Sequence, residues 1–285
     1  MASRAALAAT RSLDVLSFLA AHPQDAYSLT ELAHALEVNP SSMFGILSAM
    51  AEAGYLVRHP SQKTYRLGPI AAAVGVAALN QDKNLDAAAD EVRRLAGDLE
   101  TEAVVATTVA GDMVTLACAG PPGSQFLSFV GQRVPHAAPI GSIFAAWADE
   151  EGVVAWLNRA HPALNATDQA ELRKVLGLVR RDGQAAVTIV DRRWRFAVSP
   201  TTDGACDGGL LVPLEAGVRH RLYYVAVPVF DRRGDVLFGL FATGTSSPVS
   251  VDRVNELSDR LNDAAESIMT RIGGRTPAAT AARAP

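Results

Sequence analysis

Between Ser28 and Ala53 the apolar residues recur at helical intervals in two short runs. Leu29, Leu32, Ala33 and Leu36 make one stripe, and Met43, Ile46, Leu47 and Met50 make another. Ser28 stands three residues before Glu31, the spacing of a capping box, and predicts the start of the first helix. Glu37-Val38-Asn39 is the turn. Asn39 suits the N-cap of the second helix, Pro40 its first turn, and Gly54 a left-handed stop. Two short helices joined this tightly form a helix-turn-helix, which places its second helix in a DNA major groove. Ser41, Ser42, Phe44, Gly45, Ser48 and Glu52 are left on its outward side.

Tyr55 to Arg58 and Thr64 to Leu67 then read as short strands around a Pro-Ser turn, with Lys63 near the tip. A hairpin directly after a helix-turn-helix makes a winged helix. Residues 1–10 read as a frayed start, and Arg11 to Ala21 as the first helix of the module. Ile70 to Asn80 is small, apolar and helix-compatible, a connector and possible dimer contact. Asp82 to Glu100 is a more amphipathic helix.

The pattern then changes. Ala103 to Ala110 and Met113 to Ala119 flank Gly111-Asp112 as a hairpin. Phe126 to Val130 is a short apolar run. Pro139 to Ser142 opens a helix through Trp147, Thr167 to Arg181 is a charged amphipathic helix, and Gln184 to Val190 is strand-like. Tyr223 to Phe230 and Asp235 to Thr243 form a second strand pair, and Val251 to Ile272 a final helix. Hairpins separated by helices predict an α+β fold with an antiparallel sheet. The expected organisation is a winged helix-turn-helix at 1–68, a connector helix at 69–81, a second domain at 82–272 and a disordered tail at 273–285.

Composition narrows the chemistry. The chain has 285 residues, a net charge of −4 and 49% apolar residues, so it folds but is no general nucleic-acid coat. It has no apolar run of membrane-spanning length and no signal-peptide core, and its two cysteines, Cys118 and Cys206, have no zinc spacing. A cytoplasmic protein with no membrane partner, metal or cofactor is expected. No phosphate-cradling loop, HExxH or G-x-S-x-G occurs, and Ser142 with His136 lacks an acid placed to complete a triad. No catalytic residue is assigned.

RSLDVLSFLAAHPQDAYSLTELAHALEVNPSSMFGILSAMAEAGYLVRHPSQKTYRLG resembles the N-terminal winged helix of the IclR-type transcriptional regulators. VGQRVPHAAPIGSIFAA at 130–146 is similar to the family's approach to its effector pocket, and VAVPVFDRRGDVLFGLFATG at 225–244 to its last strand pair. The resemblance implies a GAF-like effector domain, a homodimer or homotetramer, a double-stranded DNA operator and a small organic acid as effector.

For DNA, exposure and family position select Ser28, Thr30, Ser41 and Ser42 for phosphates. Ser42, Phe44, Gly45 and Ser48 would face base edges, and Arg58, Lys63 and Arg66 would grip the backbone or minor groove. For the effector, Ala138, Pro139, Ile140, Gly141 and Ser142 lie at a helix start that favours a carboxylate. Arg219 and Tyr224, with Trp194, are further candidates in or beside a segment longer than is usual in the family. Tyr223 or Tyr224 falls where a cysteine is common, which points to an aromatic or larger carboxylate rather than the small keto acids typical of some members. The module departs from the family in charge: no Lys or Arg occurs from Ser12 to Val57, and its five basic residues face five acidic ones. A ligand-sensing or protein-interaction module whose winged helix no longer binds DNA is therefore the alternative.

Overall fold

The computed structural model describes residues 4–121, 128–190, 193–198, 211–243 and 247–277. They form two compact units, Met1–Asp82 and Lys83–Pro285.

In the first unit α1 runs from Arg4 to Ala21, β1 from Tyr27 to Ser28, α2 from Leu29 to Ala35 and α3 from Pro40 to Glu52. The helix α1 begins seven residues before the expected Arg11, because the alanine-rich start favours helix and Thr10 and Ser12 hydroxyls donate back to Ala6 and Ala8 carbonyls. The capping box is complete: Glu31 N–H donates to the Ser28 hydroxyl oxygen, and Ser28 N–H donates to the Glu31 carboxylate at 2.7 Å. Asn39 caps α3 by accepting from Ser42 N–H at 2.8 Å. Val15, Leu19, Leu32, Met43, Leu47 and Tyr65 close the core beneath these helices.

The wing is β2 (Leu56–Arg58) against β3 (Thr64–Leu67), and β1 adds a third strand on the other edge of β3. Gly68 then passes so close to the chain leaving α3 that a Cβ there would lie 2.4 Å from the Gly54 carbonyl oxygen. The helix α4 (Pro69–Gln81) follows.

The second unit opens with α5 (Lys83–Leu99), β4 (Ala103–Val109), β5 (Asp112–Ala119) and β6 (Arg133–Pro135). Three helices follow, α6 (Ser142–Ala145), α7 (Glu150–Asn158) and α8 (Ala166–Asp182). Then come β7 (Ala185–Val190), β8 (Arg193–Val198), β9 (Leu211–Pro213), β10 (Leu222–Phe230), β11 (Val236–Thr243) and α9 (Val251–Ile272). The strands lie in one sheet in the order β6-β5-β4-β11-β10-β7-β8-β9, antiparallel except for the β8–β9 pair. Alternation along β10 divides its side chains. Tyr224 and Ala226 join the core under α6, α7 and α8, and Val225 and Val227 take the opposite face, where α5 and α9 pack.

The fold is thus α+β with an N-terminal winged helix-turn-helix, as the patterning predicts. The helix expected from the Pro139–Ser142 segment through Trp147 is a correction: α6 is a single turn that ends at Ala145. The short strand β6 and the helix α7 have no counterpart in the sequence reading. Cys206, residues 126 and 127 of the apolar run, the Trp194 side chain and the end of the 273–285 tail lie outside the described residues.

Gly68→Ala should cost the N-terminal unit about 1–3 kcal/mol, since the clash is with backbone that cannot swing aside. A lower urea midpoint for loss of the winged-helix signal checks this.

Candidate DNA-binding surface and effector cavity

The outward side of α3 is Ser41, Phe44, Gly45, Ser48 and Glu52, all exposed, with Ser42 half-buried. Phe44 is 59% exposed although the core of its own unit lies one helix face away. Nothing lies within 4 Å of the position a Gly45 Cβ would take, so the helix surface beside Phe44 is open. Thr30 is exposed on α2. Ser28 is half-buried, and its N–H and hydroxyl oxygen are already used in the cap. That leaves only its hydroxyl proton for a phosphate, less than the sequence reading asks of it.

In the wing Arg58, Lys63 and Arg66 are exposed. Arg58 is steadied by the Tyr65 ring, whose centroid is 5.9 Å from the guanidinium carbon. The turn itself is pinned by His59, whose Nδ1 accepts from Gln62 N–H at 3.1 Å, and by Lys63 in a left-handed conformation at φ 57°.

In the second unit a cavity of about 320 Å³ opens between β4, β5, β6, β10 and β11. Its apolar wall is Val104, Ala106, Met113, Val134, Ile140 and Phe241, and its polar wall is Thr115, Ser128, Gln132, Tyr223, Tyr224 and Thr243. Among the described residues, none that lines the cavity carries a charge. Behind the polar wall lies Glu102, only 3% exposed. Its carboxylate accepts from Ser128 N–H at 2.6 Å and from the Thr243 hydroxyl at 3.3 Å.

The loop that enters α6 is fixed on several sides. Trp156 Nε1 donates to the Ile140 carbonyl at 2.8 Å, and Ala138 N–H donates to the Trp156 carbonyl. His136 Nε2 lies 3.1 Å from the Gly141 carbonyl oxygen and donates to it. Gly141 is left-handed, at φ 75°, and a Cβ there would sit 2.5 Å from the His136 ring and 2.7 Å from the Met113 sulfur. Only glycine fits that position. Burial holds the His136 pKa below its ordinary value, with the Arg159 guanidinium adding to the effect. The Tyr224 phenol is completely buried, and its pKa is pushed up by that burial. Its hydroxyl faces the Gly141 backbone and the Ser142 hydroxyl, but neither oxygen completes a well-formed hydrogen bond.

Of the effector residues expected from sequence, Ile140 and Tyr224 line the cavity. Ala138, Pro139, Gly141 and Ser142 stand behind it, with Ala138 and Ser142 buried in the packing. Arg219 is a correction: it is exposed and its guanidinium is spent on the Pro248 carbonyl, away from the cavity. The carboxylate site expected at Ser142 is also revised. One turn of helix has too few aligned peptides for a useful macrodipole, and no cation stands among the described lining residues. Phe241, Thr243, Met113 and Glu102 were missed. Alternation within β4, β5 and β11 marks their faces, but nothing local says which face meets a cavity.

Comparison with known proteins gives the context. Residues 8–60 match the model of the IclR helix-turn-helix domain. The transcriptional regulator KdgR of Dickeya chrysanthemi is 25% identical over 261 residues, covering 86% of this chain and 73% of its own. An IclR transcriptional regulator from Alicyclobacillus acidocaldarius shares the fold at TM-score 0.72 and 23% identity, over 92% of this chain and 97% of its own. An IclR homologue from Microbacterium hydrocarbonoxydans, solved with 4-hydroxybenzoate, superimposes at TM-score 0.65 and 19% identity, over 93% and 99%.

Two histidines of the second unit, His136 and His220, have pKa values lowered by burial from an ordinary 6.5. Their folded forms bind protons less readily than the unfolded chain does. Stability is therefore full above about pH 6.5 and lost as pH falls below it. Urea titrations between pH 7.5 and 5 should show this decline, and His136→Asn should flatten it.

Proposed function

We infer that this chain, which belongs to the IclR family of transcriptional regulators, reads DNA mainly through neutral contacts and releases or grips it in response to a small aromatic ligand. It is a DNA-binding regulator with an effector-binding C-terminal domain, and its relatives are regulators, not enzymes. The observation that carries the finer reading is the outward face of α3: an exposed Phe44 beside an open Gly45, flanked by serines, with no cation. Phe44 would meet a thymine methyl, and Ser42 and Ser48 base edges. Thr30, Ser41 and the remaining hydroxyl proton of Ser28 would hold phosphates, and Arg58, Lys63 and Arg66 would track the backbone or minor groove.

The effector would occupy the cavity faced by Ile140, Tyr224 and Phe241, whose volume suits a single ring. The relative solved with 4-hydroxybenzoate supports a ligand of that size. The helix α4 exposes Ile70, Val74 and Val76, the last two more than half exposed. A run of small and apolar residues so bare supports pairing with a second copy, in a dimer or tetramer. The recognition helix, which carries no cation, equally motivates a second reading, in which the winged helix has lost DNA and only the ligand response remains.

A gel shift with the DNA upstream of the chain's own gene separates the two. Binding should appear, with a salt slope of about −3.6 from roughly four neutralised phosphates at −0.9 each. Phe44→Ala should weaken it about fivefold, roughly 1 kcal/mol. A slope near −10 would overturn the charge inventory, and no shift at any salt would favour the second reading. Light scattering should give a dimer or larger species, and Val74→Glu with Val76→Glu should drive it toward monomer and weaken DNA binding together.

A further inference from the structure

We infer, resting on the reading of the winged helix as a DNA-binding module, that His59 is a specificity-determining residue. Its Nε2–H reads acceptors in the minor groove and makes the wing prefer A·T over G·C pairs.

The ring is held from several sides. His59 N–H donates to the Thr64 carbonyl at 2.8 Å, and Lys63 N–H donates to the His59 carbonyl at 3.0 Å, so the backbone of the turn closes on this residue. The side chain is tied as well. Its Nδ1 accepts from Gln62 N–H at 3.1 Å and lies 3.3 Å from the Ser61 hydroxyl. A backbone N–H can only donate, so Nδ1 must offer its lone pair, and the proton of the neutral ring sits on Nε2. His59 is exposed, and Nε2 draws no hydrogen bond among the described residues. A donor whose direction is already fixed loses little freedom on binding.

The surroundings choose the groove. From Ser12 to Asp82 the lysine and arginine residues are Arg58, Lys63 and Arg66, all on this hairpin. Arg58, His59, Gln62 and Arg66 line one groove beside it. Cations so concentrated are drawn to the most negative part of a duplex, the narrow minor groove of A·T-rich DNA. Long cationic side chains can hold phosphates on its rims, while a short, fixed ring is suited to a base edge. There a single N–H meets adenine N3 or thymine O2. In a G·C pair the guanine amino group is itself a donor and opposes it.

The test is a gel shift of the full chain with the DNA upstream of its own gene, prepared once with adenine and once with 2,6-diaminopurine in its place. Diaminopurine adds an amino group to the minor groove of each A·T pair and keeps the major-groove donor and acceptor of adenine. The wild-type chain should bind the diaminopurine fragment about fivefold more weakly. His59→Ser leaves a hydroxyl that can cap Gln62 N–H but ends too short to reach a base. It should bind the two fragments alike, to within about twofold. Arg66→Gln should weaken binding to both fragments and keep the fivefold ratio between them. A histidine that only caps the turn would leave that ratio unmoved when replaced. A wild-type chain indifferent to the exchange, or a His59→Ser chain that still discriminates, would overturn the assignment and leave DNA binding standing. No shift with either fragment would overturn both.

Discussion

The second unit depends on one crowded backbone position. Gly141 turns left-handed between the His136 ring and the Met113 sulfur, where any β-carbon would collide with both. That turn lets the chain leave β6 and its following loop and drop at once into the one-turn helix α6. The Trp156 indole then ties the preceding carbonyl, that of Ile140, to α7. Cavity wall and helical layer therefore share one anchor. Ile140 and Met113 face the ligand space, while Phe144 and Trp156, fixed by the same loop, fill the core beneath α8. The buried Tyr224 phenol stands opposite this loop, with its hydroxyl toward the Gly141 backbone and the Ser142 hydroxyl.

What could be read in advance follows from range. The capping box of Ser28 and Glu31, the Asn39 cap and Pro40 are settled within four residues, so the helix-turn-helix was visible in the chain itself. Phe44 could be placed outward because the opposite stripe, Met43, Leu47 and Met50, leaves it no other side. The strand pairs around Gly111 and Gly234 were legible for the same reason, both glycines taking the positive φ that their turns require. The cavity was not. It is assembled from β4, β5, β6, β10 and β11, so Glu102 and Thr243, 141 residues apart, meet only through pairing across the sheet. The start of α6 was located by its small residues, but its length was misjudged. Burial of Ile143, Phe144 and Ala145 in one turn gave an apolar pattern that a longer helix would also give. Arg219 was selected for its charge alone, and a surface carbonyl claims it.

The two units share a physical style. The outward face of α3 is hydroxyls, one aromatic ring and, at its end, Glu52, and the described cavity lining is hydroxyls, an amide and apolar side chains. Under the proposed reading both surfaces would work by contact and hydrogen bonding, which vanish within an ångström or two. A basic recognition surface works by longer-ranged attraction that tolerates misplacement.

That difference bears on control. A ligand can move the DNA equilibrium only by its differential affinity for two states of the protein, and the coupling is reciprocal. Typical couplings are about 1–3 kcal/mol. If most DNA affinity came from phosphate charges, a small displacement of the recognition helix would remove little of it, and a coupling of that size would be hard to reach. Where affinity rests on Phe44 and a few serines, the same displacement removes most of the specific contacts at once. The absence of lysine and arginine between Ser12 and Val57, which first reads as a weakness in a DNA-binding module, is thus a condition that would favour switching by a small ligand under the proposed reading.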